Sequence, residues 1–280
     1  MPSKPKLGQN FLHDQQAIER IANALGDLSA RTVVEIGPGR GAITHALAAR
    51  AAHILAIELD PSLAAHLSAE FDPARLTVAC RDVLTFDFLE AAAQYAPGGK
   101  LVLAGNLPYY ITSPILLKLA ASCSALDLAV LMVQREVADR VTAQPGSRDY
   151  GLLSVTVQMY GPAQQLFVLP PTAFSPPPDV HSAVFRWRFA PRFAELGVEE
   201  TAFLRFVRQV FAQKRKTLSN NLRAAGFLPT QIAAAIGEAN LPPQARAEAL
   251  SMEELAHLWR ILQSSGAAPC DEAAPLFTLE

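Results

Sequence analysis

Across its first 190 residues the chain alternates short apolar runs with stretches of helical spacing, and few folds accommodate that pattern. The runs at 32–36, 53–58, 76–80, 100–104, 128–134, 164–168 and 183–189 are mostly β-branched or leucine-rich and nearly continuous. A strand with one wet face alternates apolar and polar residues, whereas a continuous run marks a strand covered by helices on both faces. Between these runs, 42–50, 62–71, 86–95 and 113–122 carry apolar residues at helical spacing. The alternation predicts an α/β chain built on a doubly wound, mostly parallel sheet. The proline-rich stretch 170–178 is expected to be an ordered loop over the sheet's edge, without regular structure. After Phe189 the strand pattern stops, and 199–213, 217–225, 229–237 and 251–262 read as helices, several with Ser or Thr at the cap. The expected organisation is a sheet domain over 1–190, a small helical domain over 191–264 and a loose tail over 265–280.

Half of the 280 residues are hydrophobic and 18% are charged, so a sizeable core is easily supplied. The longest apolar run, at 128–133, is far too short to span a bilayer, and 1–11 shows no basic-then-apolar leader. Cys80, Cys123 and Cys270 are widely spaced, lack the pairing a zinc site needs and suit a reducing cytoplasm. The net charge of −2 is unevenly spread: between 183 and 260, lysines and arginines outnumber acids by 11 to 7. Lys214-Arg215-Lys216, read at a helix start, and Arg205 and Arg208 one helix earlier form a candidate phosphate-binding patch. A solvated basic helix face is the competing reading.

The first predicted strand runs into Glu35-Ile36-Gly37-Pro38-Gly39-Arg40-Gly41 and then a helix. Glycines there let backbone approach a ligand, and the helix start offers free N–H donors. Gly37, Gly39 and Ala42 also satisfy the dinucleotide fingerprint, and Glu58 lies near the distance of a ribose-binding acid, so a nicotinamide dehydrogenase stays open on this loop alone. Three features favour S-adenosylmethionine. Glu35 inside the strand end suits an amino-acid ammonium better than a pyrophosphate. Asp82, after the third strand, is placed to accept from an adenine amine, with Glu58 on the ribose hydroxyls. The third feature is Asn106-Leu107-Pro108-Tyr109, which follows the fourth strand at the same carboxyl edge. The Asn106 side-chain oxygen and Leu107 carbonyl can accept two N–H bonds of an adenine amine, Pro108 fixes the turn, and Tyr109 offers a plate for a displaced base.

With these residues placed, the chain resembles the bacterial small-subunit ribosomal RNA adenine dimethyltransferases over about 7–262. The resemblance rests on seven runs in order: Gly8-Gln9-Asn10-Phe11-Leu12, Val34-Glu35-Ile36-Gly37-Pro38-Gly39, Gly105-Asn106-Leu107-Pro108-Tyr109, Gln134-Arg135-Glu136-Val137-Ala138, Tyr150-Gly151-Leu152-Leu153-Ser154-Val155, Phe174-Ser175-Pro176-Pro177-Pro178-Asp179-Val180 and Lys214-Arg215-Lys216-Thr217-Leu218. It implies a Rossmann-like class I methyltransferase sheet with a C-terminal helical domain. It also implies that two adjacent adenosines in the 3′-terminal hairpin loop of small-subunit ribosomal RNA each receive two methyl groups. S-adenosylmethionine would be the donor, with no metal, in a cytoplasmic monomer acting on the small subunit during its biogenesis. Asn10 and Leu12 would close over the cofactor, joining Gly37, Glu58, Asp82 and Asn106. Phe174, which the residues alone mark as a core phenylalanine, would stack on the target adenine opposite Tyr109. Tyr110 stands where asparagine is frequent, and His181 where an acid is usual. The alternatives are a large-subunit methyltransferase of antibiotic-resistance type, and an assembly factor acting mainly by binding.

Overall fold

The computed structural model describes residues 10–266. Lys4, Lys6, Gly8 and Gln9 of the leader, and the tail from 267 onward with Cys270, lie outside the described residues. The described residues form two compact units, one of 10–138 and 162–190, the other of 139–161 and 191–266.

The first unit carries all the described strands: β1 (Phe11–Leu12), β2 (Thr32–Ile36), β3 (His53–Glu58), β4 (Leu76–Cys80), β5 (Leu101–Asn106), β6 (Leu126–Gln134), β7 (Ala163–Leu169), β8 (Phe174–Ser175) and β9 (Ser182–Arg188). Its seven-stranded sheet has the order β4-β3-β2-β5-β6-β9-β7. The first five of these are mutually parallel, and β9 runs antiparallel to both β6 and β7. Parallel neighbours need crossovers, and the chain supplies α2 (Ala42–Ala48), α3 (Pro61–Glu70), α4 (Phe88–Tyr95) and α5 (Thr112–Ala121) between successive strands. β2, β3, β5 and most of β6 are buried residue after residue, as continuous apolar runs require. From β2 the chain first works outward through β3 and β4, then returns to β5 on the other side. The carboxyl ends of β2 and β5 therefore sit side by side at the switch point where such sheets bind ligands. Gly105 on β5 pairs with Ile36 on β2, and a Cβ there would lie 2.7 Å from the Ile36 carbonyl oxygen, so only glycine fits.

Two segments differ from the sequence expectation. No strand is expected before residue 32, yet Phe11–Leu12 is a strand, followed by α1 (Gln15–Ala24) capped by Asp14 and buried through Ile18 and Ile21. The proline-rich stretch contains a one-turn 3-10 helix at Pro171–Ala173 and then β8, which pairs antiparallel with β1. Phe174 and Ser175 fall between Pro171 and Pro176 and keep the N–H groups a ladder needs.

The second unit is helical: α7 (Leu152–Met159), α8 (Phe193–Leu196), α9 (Glu200–Val210), α10 (Leu218–Ala224), α11 (Pro229–Glu238) and α12 (Met252–Ser264). The division between units falls within α6 (Arg135–Val141), and the helical unit takes in 139–161 as well as the residues after 190. α7 is buried from Leu153 to Met159. α9 presents Phe203, Phe206 and Val207 inward, with the Phe206 and Trp259 rings stacked 5.0 Å apart. Among the described residues no helix is long and apolar enough to cross a membrane.

Candidate active site

A cavity of about 1070 Å³, including its open mouth, lies at the carboxyl ends of β2, β3, β4 and β5, roofed by the Asn10–Leu12 leader. Every sequence-predicted cofactor residue lines it: Asn10, Leu12, Glu35, Gly37, Gly39, Glu58, Asp82 and Asn106.

Glu35 lies inside β2, only 1% exposed, and its Oε2 has no hydrogen-bond partner. Burial pushes its carboxyl up to about 7; the Thr44 hydroxyl offsets part of that rise, and the Glu58 charge adds to it. The Thr44 Oγ1 itself makes no hydrogen bond of ordinary geometry, and Glu35 Oε2 is left in want of a donor. Glu58, the last residue of β3, is equally buried but well served. Its Oε2 accepts from the Gly39 N–H at 3.1 Å and its Oε1 from the Asp60 N–H at 2.9 Å. Each carboxylate oxygen keeps a lone pair, so the group can still accept from a vicinal diol. Asp82 uses Oδ1 to cap the short 3-10 helix Val83–Thr85, accepting from Leu84 N–H at 2.9 Å, and its other oxygen has no partner among the described residues.

The Gly-rich loop is shaped by what packs on it. Gly39 has φ +59°, and a Cβ there would press to 3.0 Å against the Phe11 ring. The Arg40 guanidinium lies over that same ring, 4.4 Å from its centre. Phe11 and Arg40 thus belong to the cavity roof. Nothing in their local sequence marks this, because the contact joins the leader to the loop.

Asn106 ends β5. Its Nδ2 donates to the Asn10 carbonyl at 3.1 Å; a carbonyl only accepts, so this bond fixes which way the amide faces. Asn106 Oδ1 is consequently buried and unpartnered. The Leu107 N–H continues the ladder to Met132 O at 2.9 Å, while the Leu107 carbonyl accepts no hydrogen bond among the described residues. Pro108, at φ −59°, leads into a one-turn 3-10 helix over Tyr109–Ile111, and the Thr112 hydroxyl donates back to the Pro108 carbonyl at 3.0 Å. The Tyr109 hydroxyl meets Ser182 Oγ at 2.6 Å, which pins the ring. Burial holds its phenol above the ordinary range, and the Ser182 bond pulls it partly back. Ser182, on β9, carries no sequence signal because the tie spans 73 residues.

Phe174 is the exception among the predicted site residues. It is 2% exposed, sits in the core with Leu12 and Leu169, and does not line the cavity. Pairing of β8 with β1 sets Phe174 opposite Leu12, and its burial there matches the core reading of the residues alone.

In the helical unit, Arg205 and Arg208 are half-buried on α9 and engaged with neighbouring groups. Lys214, Arg215 and Lys216 are exposed in the turn between α9 and α10, not at a helix start; the cap is Thr217, which accepts from Asn220 N–H. The Lys214 ammonium donates to the Arg148 carbonyl at 2.9 Å.

Known proteins resemble the chain along nearly its whole length. The family model described as ribosomal RNA adenine dimethylase matches residues 2–264. The ribosomal RNA small subunit methyltransferase A of Acidobacterium capsulatum is 57% identical over 261 residues, 93% of this chain and 91% of that protein. The protein of the same name from Koribacter versatilis is 45% identical over 270 residues, covering 93% and 94%. A dimethyladenosine transferase from Plasmodium falciparum shares the fold, with a TM-score of 0.75 over 91% of this chain and 98% of that one at 22% identity. The 23S rRNA methyltransferase ErmE matches with a TM-score of 0.69 and 26% identity, over 91% and 100%.

Proposed function

The chain belongs to the ribosomal RNA adenine dimethylase family, with the class I methyltransferase fold, and from that premise we propose its reaction and its site. It transfers methyl groups from S-adenosylmethionine to the N6 of two adjacent adenosines in the 3′-terminal hairpin loop of small-subunit ribosomal RNA. The single observation that carries this reading is the pair of unused acceptors at the cavity, Asn106 Oδ1 and the Leu107 carbonyl.

The N6 amine of adenine is a poor nucleophile because its lone pair is delocalised into the ring. Two acceptors that take its two N–H bonds favour the sp³ geometry in which that lone pair is free. As positive charge develops on nitrogen both bonds strengthen, and acceptors already fixed in place need no reorganisation. Asn106 is fixed by its bond to Asn10, and Leu107 by the β5–β6 ladder. Tyr109, held by Ser182, supplies a face for the base. After one transfer a single N–H remains, and either acceptor can receive it. The methylated ammonium is acidic and releases its proton to water, so no strong general base is needed.

The residues present fit S-adenosylmethionine. The orphaned Glu35 carboxylate suits its ammonium, the spare lone pairs of Glu58 its ribose hydroxyls and the second oxygen of Asp82 its adenine amine, with backbone access at Gly37 and Gly39. When bound, the cofactor supplies an electrophilic methyl on a cationic sulfur and leaves as S-adenosylhomocysteine; the sulfonium itself is the electrophile, so the reading needs no metal. The helical unit, through Arg205, Arg208, Lys214, Arg215 and Lys216, is proposed to hold rRNA phosphates. The protein is proposed to act as a cytoplasmic monomer; the names of its relatives support the small subunit as its partner.

Incubation with labelled cofactor and undermethylated small subunits, with large subunits in parallel, tests the substrate. Label on the small subunit alone supports the reading. Label on the large subunit points to the resistance type, and tight small-subunit binding without label to an assembly factor.

A further inference from the structure

The mouth of the cavity carries an aromatic ring that the proposed chemistry does not use. Tyr110 lines the cavity and is 61% exposed, the highest value among the exposed large hydrophobic residues of the described chain. Isolated exposed apolar residues are ordinary on protein surfaces, so exposure alone assigns nothing. Three further observations give this ring a task.

First, it stands on a rigid mount. A 3-10 turn has three residues per turn, so consecutive side chains point about 120° apart. Tyr109 is turned inward and tied to Ser182, while Tyr110 is left facing solvent at the rim. The turn is held by Pro108 on one side and by the Thr112 bond on the other. Second, Phe174 is buried in the core, so the aromatic rings lining the cavity are Phe11, Tyr109 and Tyr110. Phe11 is occupied between Gly39 and Arg40 and Tyr109 is assigned to the reacting base, which leaves Tyr110 as the ring with no task. Third, a base drawn out of a loop uncovers the face of its neighbour, and an aromatic side chain at the point of exit can cover that face whatever the base.

We propose that Tyr110 forms a second nucleobase subsite, stacking on the base next to the one held by Asn106 and Leu107. The inference rests on the proposed methylation of adjacent adenosines. Stacking uses the π-face and needs no N–H, so the subsite accepts an adenine before or after dimethylation. The two target bases can then exchange places between the cavity and the rim, with Tyr110 as a binding residue for whichever base waits there.

The test is steady-state methyl transfer to undermethylated small subunits by the wild type, Tyr110→Ala, Tyr110→Leu and Tyr110→Phe, with cofactor Kd and Tm measured alongside. Loss of a base–aromatic stack raises the KM for subunits by roughly 5- to 150-fold in the Ala variant. Cofactor Kd and Tm stay at the wild-type values, and Phe restores the KM whereas Leu does not. If Ala melts early, Leu carries the test, since it keeps apolar bulk without a π-face. A KM within twofold of wild type in Ala or Leu overturns the subsite while leaving the methylation reading standing. Absence of transfer by the wild type overturns both.

Discussion

Replacing Asn106 with alanine separates the two jobs its amide performs. In the proposed reaction the oxygen is the acceptor for the reacting amine, and a hydrogen bond to a group gaining charge is worth about 1.5–3 kcal/mol. At about 1.4 kcal/mol per decade, its loss lowers kcat roughly 10- to 150-fold. The nitrogen holds the Asn10 carbonyl at 3.1 Å, a neutral bond worth about 0.5–1.5 kcal/mol net, so the roof over the cofactor loosens by roughly 2- to 12-fold in Kd. The lower part of that range is expected, because β1 stays paired to β8 and the His13 N–H stays on the Ala173 carbonyl. Single-turnover transfer on saturating subunits gives the chemical step, and calorimetry with the cofactor gives the affinity. The expected outcome is a kcat loss at least several times the affinity loss. Equal losses would refute the division and make Asn106 chiefly an anchor for the leader.

Three further outcomes follow from the same geometry. Glu35→Gln removes a carboxyl whose folded value is about 7 against an ordinary 4.5. Between those values the folded chain keeps a proton that the unfolded chain has lost, so Glu35 lowers stability as pH rises, on the order of 3 kcal/mol above pH 7 and nothing below 4.5. In the cofactor-free protein the variant therefore gains Tm over wild type at pH 8 but not at pH 4.5, and a gap that does not change with pH rejects the buried charge. Gly105→Ala forces a methyl to 2.7 Å from backbone, an overpacking cost of about 1–3 kcal/mol; thermal melting at the wild-type Tm would show that β2 and β5 are not so close. Arg215→Ala and Lys216→Ala should each flatten the log–log salt dependence of subunit binding by about 0.7–0.9, and an unchanged slope removes them from the phosphate contacts.

Much of this was legible in the residues. Continuous apolar runs located the parallel strands, and acids at the ends of β3 and after β4 located the cofactor half of the cavity, because both signals are local. That Asn106 to Tyr109 line the same cavity was legible for the same reason: the four are consecutive at the end of a strand. What escaped depends on partners distant in the chain. Two residues in β1 pair with two in β8, and nothing local to either segment marks that pairing. Nothing local marks α7 as a helix: Val155, Thr156 and Val157 favour strands, and burial on nearly every side overrides that weak preference. The membership of 139–161 in the helical unit, the Ser182 tie to Tyr109 and the Gly39 clamp on Glu58 are likewise contacts between separated segments.

The most direct measurement of the central claim is positional nucleoside mass analysis of small-subunit rRNA after reaction with the wild-type enzyme. The arrangement of Asn106 Oδ1 and the Leu107 carbonyl predicts methylation at adenine N6, and the proposed substrate puts N6,N6-dimethyladenosine at two neighbouring positions. Methyl groups on a ring nitrogen, a ribose hydroxyl or a pyrimidine would contradict it.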